Sequence, residues 1–187
     1  MVVRVCHPVG PFRFMGKVVM GFQRGSKQLG WPTANLDPAA FEHVLDAAEE
    51  GVYVGWATVS DVRLPEASRT SVHKAVLSIG WNPFYQNSER TVEAFLCHDF
   101  GGRDFYDTQM KLIICAFLRP QASFATLEAL KEVIAADVEY GIKVLDQPPQ
   151  IDLSADPFFS DGNEPPTQVS HHTLTQPDSS PRHDRVA

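Results

Sequence analysis

Several things this sequence lacks narrow the field. Cysteine is scarce: Cys6, Cys97 and Cys115 form an odd set with no close pair. That excludes a disulfide framework and a Cys-x-x-Cys metal knuckle. Cys97 and Cys115 lie in apolar runs and read as small buried hydrophobes in a reducing compartment. No apolar run approaches the roughly 18 residues that span a bilayer. The opening MVVRVCHPVGPF has no long apolar centre of a secretory signal, and the closing DRVA is no usual retention or peroxisomal address. The expectation is a soluble, cytoplasmic chain with no membrane partner. Positive charge is also short, with 16 Lys and Arg against 23 Asp and Glu and a net charge of −7. A general nucleic-acid binder shows a basic face, so no nucleic-acid partner is expected.

What is present suits one domain. The 187 residues are 43% hydrophobic, enough for a real core. Composition shifts near residue 147, and the Pro-, Ser- and His-containing stretch 161–187 cannot offset its ordering entropy. The expectation is a folded domain over 1–160 and a disordered tail over 161–187. Phe158 and Phe159 are the exception in the polar C-terminal stretch, because adjacent aromatics usually dock on something. No internal repeat is visible.

Upstream, five runs carry strand chemistry: 14–22, 51–60, 73–81, 90–97 and 110–118. Ala75, Leu77 and Ile79 share one face of the third; Val92, Ala94 and Leu96 share one face of the fourth, with Thr91, Glu93 and Phe95 opposite. The fifth, MKLIICAFL, reads as a strand buried on both faces. The connections are short or polar, which favours an antiparallel barrel or sandwich over a parallel α/β sheet. Near-helical spacing of Leu127, Leu130, Ile134, Val138 and Leu145 predicts one strong helix, capped by Ser123 or Thr126 and stopped by Pro148 and Pro149. A weaker helical signal covers 39–50.

The chemistry-bearing residues fall in four stretches. GFQRGSKQLGWPTANL offers Gly21, Gly25, Ser26 and Lys27 as a donor-rich loop able to cradle phosphate oxygens. It is neither a P-loop nor a dinucleotide fingerprint; glycine spacing alone also fits a surface turn. Pro32 holds Trp31 extended, so Thr33 and Asn35 point the same way if the segment is a strand. A hydroxyl and an amide oxygen on one side are hard, neutral donors suited to Mg²⁺ shared with nucleotide phosphates, or else they cap a turn. Glu93 lies in the middle of an apolar strand. It is either a general base raised by desolvation or a solvent-face carboxylate paired with Arg90 or Lys111. His98 opens a Gly-rich loop, and Arg119 ends the buried strand, where an arginine is often a plain salt-bridge partner.

GSKQLGWPTANL, GVYVGWA, SIGWNPFY, TVEAFLCHDF, DFYD and FLRPQASFATLEALKEVIAADV stand in the order and register of riboflavin kinase (flavokinase), and the chain resembles that family over about residues 14–146. DPFF resembles the tail of the eukaryotic single-function form. The resemblance implies a mainly β fold: a six-stranded antiparallel Greek-key barrel with a C-terminal α-helix packed on it. It implies transfer of the ATP γ-phosphoryl group to the ribityl 5′-hydroxyl of riboflavin, giving FMN and ADP, by a monomer. By position, Glu93 is the general base, and Thr33 and Asn35 hold Mg²⁺, with Zn²⁺ or Mn²⁺ as alternatives. Gly21, Gly25, Ser26, Lys27, Thr33, Asn35 and His98 face the nucleotide. Ser88, Thr91, Phe105, Arg119 and Phe158 face the flavin. Departures from the family pattern are Gln23 and Asp107 where glycine is usual, Gln121 for a frequent glutamate, and a longer hairpin at 61–71. The chain has no stretch for an FAD-forming adenylyltransferase, so no FAD synthesis is expected. Two other classes stand beside this reading. A non-catalytic flavin- or nucleotide-binding barrel could dispense with Glu93. An oligonucleotide-binding barrel should be basic, with spaced exposed aromatics.

Overall fold

The computed structural model describes residues 2–20, 30–41, 45, 48–81 and 90–160. Six antiparallel strands close into a barrel: β1 His7–Val19, β2 Ala34–Leu36, β3 Gly51–Ser60, β4 His73–Trp81, β5 Arg90–Leu96 and β6 Gln109–Pro120. Their order around the barrel is β1-β2-β5-β4-β3-β6, with β6 returning to β1. Strands β3, β4 and β5 form a meander, and β6 lies beside β3, which is the Greek-key arrangement.

The alternation expected of β4 and β5 is what fills the barrel. Ala75, Leu77, Ile79, Val92, Ala94 and Leu96 are all buried and belong to the inner core with Phe14, Leu36, Leu112 and Ile114. Strand β6 is buried on both faces. Met110, Leu112 and Ile114 point inward, while Cys115, Ala116 and Leu118 lie in a second cluster outside the barrel. Burial pushes the Cys115 thiol up to about 12 and the Cys97 thiol up to about 11. Both are therefore neutral hydrophobes at neutral pH, and no described cysteine is in a disulfide.

That second cluster seats the long helix. The helix runs Leu127–Leu145, and Thr126 caps it by accepting from the Ala129 N–H at 3.1 Å. Val138 and Leu145 are buried against Val54, Val76 and Leu118. Leu127, expected on the apolar stripe, is instead 52% exposed, because it occupies the helix's first position, before the stripe meets the sheet. Gly141 lets the helix approach: a Cβ there would lie 2.7 Å from Val54 Cγ1.

Three details differ from expectation. Strand β1 begins at His7, through the Pro- and Gly-containing HPVGPF; its register with β6 shifts between Pro8 and Phe12, and such an irregularity accommodates proline. Insert 61–71 contains a short helix, Glu66–Thr70. Only a 3₁₀ turn, Pro38–Ala40, is seen at the start of the weak helical signal, much of which lies outside the described residues. The aromatic pair docks as expected: Phe158 is 7% exposed, its carbonyl accepts from Lys111 Nζ at 2.8 Å, and Arg13 pairs with Asp156 at 2.6 Å.

Candidate active site

Strand β2 is three residues long, yet it fixes the geometry of the site. Ala34 and Leu36 are buried in the core, so Asn35 faces outward, and Thr33 just before the strand is half-buried like Asn35. In register, Asn35 sits directly across from Glu93 of β5. Directly paired residues of an antiparallel sheet project to the same side, with Cβ atoms about 4.5–5.5 Å apart. Thr33 Oγ1 donates a long hydrogen bond, 3.4 Å, to Glu93 Oε2. The hydroxyl, the carboxamide and the carboxylate thus share one outer patch of the barrel.

Glu93 is half-buried, and desolvation raises its pKa above the ordinary glutamate value, opposed by the Thr33 hydrogen bond. Such a carboxyl is a better base than an exposed one, because its conjugate acid is closer to neutrality. Arg90, weighed as its partner, donates to the Leu45 carbonyl, and Lys111 lies on β6 beside Phe158.

Glu93 also has a neighbour on its other side. Ser78 of β4 is its register partner, and Gln121, just past β6, donates from Nε2 to Ser78 Oγ at 2.8 Å and to the Ile79 carbonyl at 3.3 Å. Neither residue was singled out from the sequence. Only strand register could have pointed to Ser78, and Gln121 stood out merely as a departure from a family pattern. Thr91, two residues before Glu93 on the same face, donates to the Gly80 carbonyl at 3.2 Å.

Among the described residues, four other expected site residues make the following contacts, all away from Glu93. Arg119 lies on β6, three strands away from β5 in either direction around the barrel. It is buried, with Nε and Nη2 on Asp137 Oδ2 at 2.9 and 2.7 Å and Nη1 on the Pro120 carbonyl at 2.9 Å. Arg4 completes an Arg–Asp–Arg cluster at 2.8 Å, so the salt-bridge reading of Arg119 is the arrangement seen. Phe158 also sits against β6, under Lys111 Nζ at 5.3 Å from its ring centroid. His98 lies past the end of β5. Its ring packs 4.4 Å from that of His73 and 4.7 Å from that of Phe100, and its Nε2 is 2.9 Å from Ser68 Oγ. Phe105 packs on Phe100 at 4.9 Å in the same loop. Gly21, Gly25, Ser26, Lys27, Ser88 and the Gln23 departure lie outside the described residues.

The Asp107 departure has a clear geometry. Its φ is +67°, the left-handed region that favours glycine and that Asp tolerates better than most residues. Its carboxylate pairs with Lys17 at 2.8 Å, which glycine could not do. Residues 98–107 are tied to the 61–71 hairpin as well: Arg63 Nη2 donates to the Tyr106 carbonyl at 2.9 Å and Arg103 Nη1 to the Arg63 carbonyl at 2.9 Å.

Among the described residues no group of three His, Cys, Asp or Glu side chains could hold a metal ion. The Thr33–Asn35–Glu93 patch offers two neutral oxygens and one carboxylate. That set fits Mg²⁺ only in the mode where phosphates and water supply the remaining ligands. No helix among the described residues is long and apolar enough to cross a membrane.

Comparisons with known proteins point the same way. The riboflavin kinase (flavokinase) family model matches residues 9–145. The chain is 41% identical to mouse riboflavin kinase over 149 residues, covering 80% of this chain and 90% of that one. It is equally similar, at 41%, to a bifunctional riboflavin kinase/FMN phosphatase of Arabidopsis thaliana, of whose length it spans 38%. Among solved structures it resembles riboflavin kinase from Trypanosoma brucei, with a TM-score of 0.62 and 30% identity, covering 87% of this chain and 94% of the other. The outward patch built on Glu93 therefore sits in a Greek-key barrel that belongs to the riboflavin kinase family.

Proposed function

We infer that this chain transfers the γ-phosphoryl group of ATP to the ribityl 5′-hydroxyl of riboflavin, giving FMN and ADP, with Glu93 as general base. The observation that carries the reading is the half-buried Glu93 carboxylate, in register with Asn35 and bonded to Thr33. Phosphoryl transfer needs little covalent help from the protein; positioning and neutralisation of phosphate charge do most of it. Glu93 accepts the proton as the 5′-oxygen bonds to phosphorus and the bond from the γ-phosphorus to the β,γ-bridging oxygen breaks. Burial raises its basicity for that task. Thr33 and Asn35 would hold Mg²⁺, which when bound neutralises phosphate charge; Zn²⁺ or Mn²⁺ would suit the same oxygens less selectively.

In this reading Gly21, Gly25, Ser26 and Lys27 cover the phosphates, and Ser88 and Thr91 border the flavin, Thr91 from the same face of β5 as Glu93. His98 borders the nucleotide, and Phe105, Arg119 and Phe158 border the flavin; of these, Arg119 is the one whose guanidinium is already buried on Asp137. The folded unit is 1–160, working as a monomer in the cytoplasm.

The test is FMN formation from riboflavin, ATP and Mg²⁺, followed by chromatography, with wild type, an EDTA control and Glu93→Gln. General-base catalysis contributes about 10²–10⁴-fold, so the variant should lose turnover by that factor while still binding riboflavin. Turnover near wild type in Glu93→Gln refutes the base assignment. Riboflavin binding without any FMN from the wild-type protein supports the non-catalytic barrel instead.

A further inference from the structure

We propose that the 61–71 hairpin is a brace: through Arg63 and Ser68 it grips the 98–107 loop near both ends and positions that loop for nucleotide binding. The proposal rests on the reading that places His98, Gly21, Gly25, Ser26 and Lys27 at the nucleotide.

Every neighbouring pair of strands is antiparallel, so β1, β3 and β5 end where β2, β4 and β6 begin. That end of the barrel gathers the 61–71 hairpin, the 98–107 loop and the point where the chain leaves β1 at Val19 toward the residues assigned to the phosphates. The 98–107 loop is tied to β1 there. The Asp107 N–H donates to the Val18 carbonyl at 2.8 Å, the Val18 N–H donates to the Thr108 carbonyl at 2.8 Å, and the Asp107 carboxylate pairs with Lys17. At the loop's other end the chain enters from β5, where Phe95 packs on Trp31 at 5.1 Å, two residues before Thr33. A shift of this loop would therefore be felt on both sides of the nucleotide segment.

The hairpin is rooted in the barrel, whereas the tip of the loop is not. Leu64 is 4% exposed and belongs to the inner core. Asp61 is 3% exposed, and its carboxylate accepts from the Arg63 backbone N–H at 2.8 Å and from Nε and Nη2 of the same arginine, which aims the guanidinium. From this base three contacts reach the loop. Arg63 Nη2 donates to the Tyr106 carbonyl, the Arg63 carbonyl accepts from Arg103 Nη1, and Ser68 Oγ lies 2.9 Å from His98 Nε2. His73 at the start of β4 donates from Nε2 to the Ser68 carbonyl and packs on the His98 ring, so the serine is held by one histidine and meets the other. By contrast Gly101 and Gly102 at the tip have positive φ, and a Cβ on either would meet nothing within 4 Å. Two departures from the family pattern also meet here. Lys17 holds the Asp107 carboxyl below the ordinary carboxylate range, and the Arg63 charge from the longer hairpin lowers it further.

The test uses the full chain as Arg63→Ala, Ser68→Ala and the double variant. Mg·ATP binding is measured by calorimetry, and KM and kcat for FMN formation at saturating riboflavin. Apparent affinity falls with the fraction of protein in the binding-competent form, and one released hydrogen bond shifts such an equilibrium by about 2- to 10-fold. Each single variant should bind Mg·ATP more weakly by about that factor, and the double variant more weakly than either, with KM rising in step. A positioning role leaves kcat within about twofold of wild type. The Arg63 side chain is 60% exposed, so Arg63→Ala reports even where Ser68→Ala folds poorly. Mg·ATP affinity equal to wild type in Arg63→Ala and in the double variant overturns the proposal, as does a loss of kcat at unchanged KM. The kinase reading fails separately. A wild-type protein that makes no FMN refutes that reading, while weaker Mg·ATP binding by the variants still supports the brace; a wild-type protein that binds no Mg·ATP overturns both.

Discussion

Asp137→Ala should be the most damaging substitution outside the Glu93 patch, for a reason visible in the packing. Asp137 is 2% exposed on the inner face of the long helix, and Arg119 on β6 is 4% exposed. Their hydrogen bonds are 2.9 and 2.7 Å long, and Arg4 adds a second guanidinium at 2.8 Å. Removing the aspartate leaves Arg119 buried with one backbone acceptor, the Pro120 carbonyl, and Arg4 with the Val133 carbonyl at 3.3 Å. Stripping one partner from a buried ion pair costs about 3–5 kcal/mol. For a chain of this size each kcal/mol is worth about 2–4 °C, so the melting temperature should fall by about 6–20 °C. Arg4→Met is the control: Arg4 is 20% exposed on its side chain and Asp137 keeps both bonds to Arg119. Its cost should be smaller, since Asp137 stays paired with Arg119 and the guanidinium removed is the more solvent-accessible of the two. The assay is urea denaturation followed by tryptophan fluorescence, paired with a calorimetric melt. A loss under about 1 kcal/mol for Asp137→Ala would refute the reasoning, because it would mean the Arg119 charge is hydrated in the variant.

Two further outcomes follow from single side chains. Thr33→Ala should raise the Mg²⁺ concentration needed for half-maximal FMN formation; a metal titration matching wild type would remove Thr33 from the ligand set. His73, 6% exposed, has its pKa lowered chiefly by burial, against the hydrogen bond from Nε2 to the Ser68 carbonyl at 2.6 Å, with the neighbouring His98 lowering it further. The unfolded chain then binds the proton more readily, so the contribution is fully present above about pH 6.5 and is lost as pH falls through the lowered folded value. Urea midpoints between pH 7.5 and 5.5 should fall less steeply in His73→Gln than in wild type; equal slopes would show that His73 is not protonated with loss of stability.

The fold was legible where one physical signal acted alone. GVYVGWATVS and HKAVLSIGW are bounded as strands exactly where their apolar runs and alternation place them, because both run the length of the barrel wall. The cap was legible to within two candidates, Ser123 and Thr126, because a hydroxyl residue at the edge of an apolar-periodic segment has a local job; the structure selects Thr126. The start of β1 was not, because proline and glycine ordinarily break strands, and only pairing with β6 across an irregular register keeps HPVGPF extended. Strand β2 is too short for any periodicity, and its existence depends on β1 and β5 providing both edges.

The site divides along the same line. Glu93 stood out as a carboxylate in an apolar strand, whereas Thr33 and Asn35 stood out as oxygen donors after Pro32 with a turn-capping role equally open; the family resemblance joined the three, and β2–β5 pairing brings them to one face. Arg119 is equally conspicuous in an apolar strand, yet its conspicuousness has a different cause. Its partner Asp137 lies on the helix, in a stretch where nothing local marks one acidic residue from another. A buried arginine at a strand end and a half-buried glutamate in mid-strand look alike as sequence, and only the partner tells a neutralised charge from an available one. By that criterion Glu93, bonded to a hydroxyl and to no paired cation among its described contacts, matches the base proposed above, while Arg119 is paired with Asp137 of the long helix.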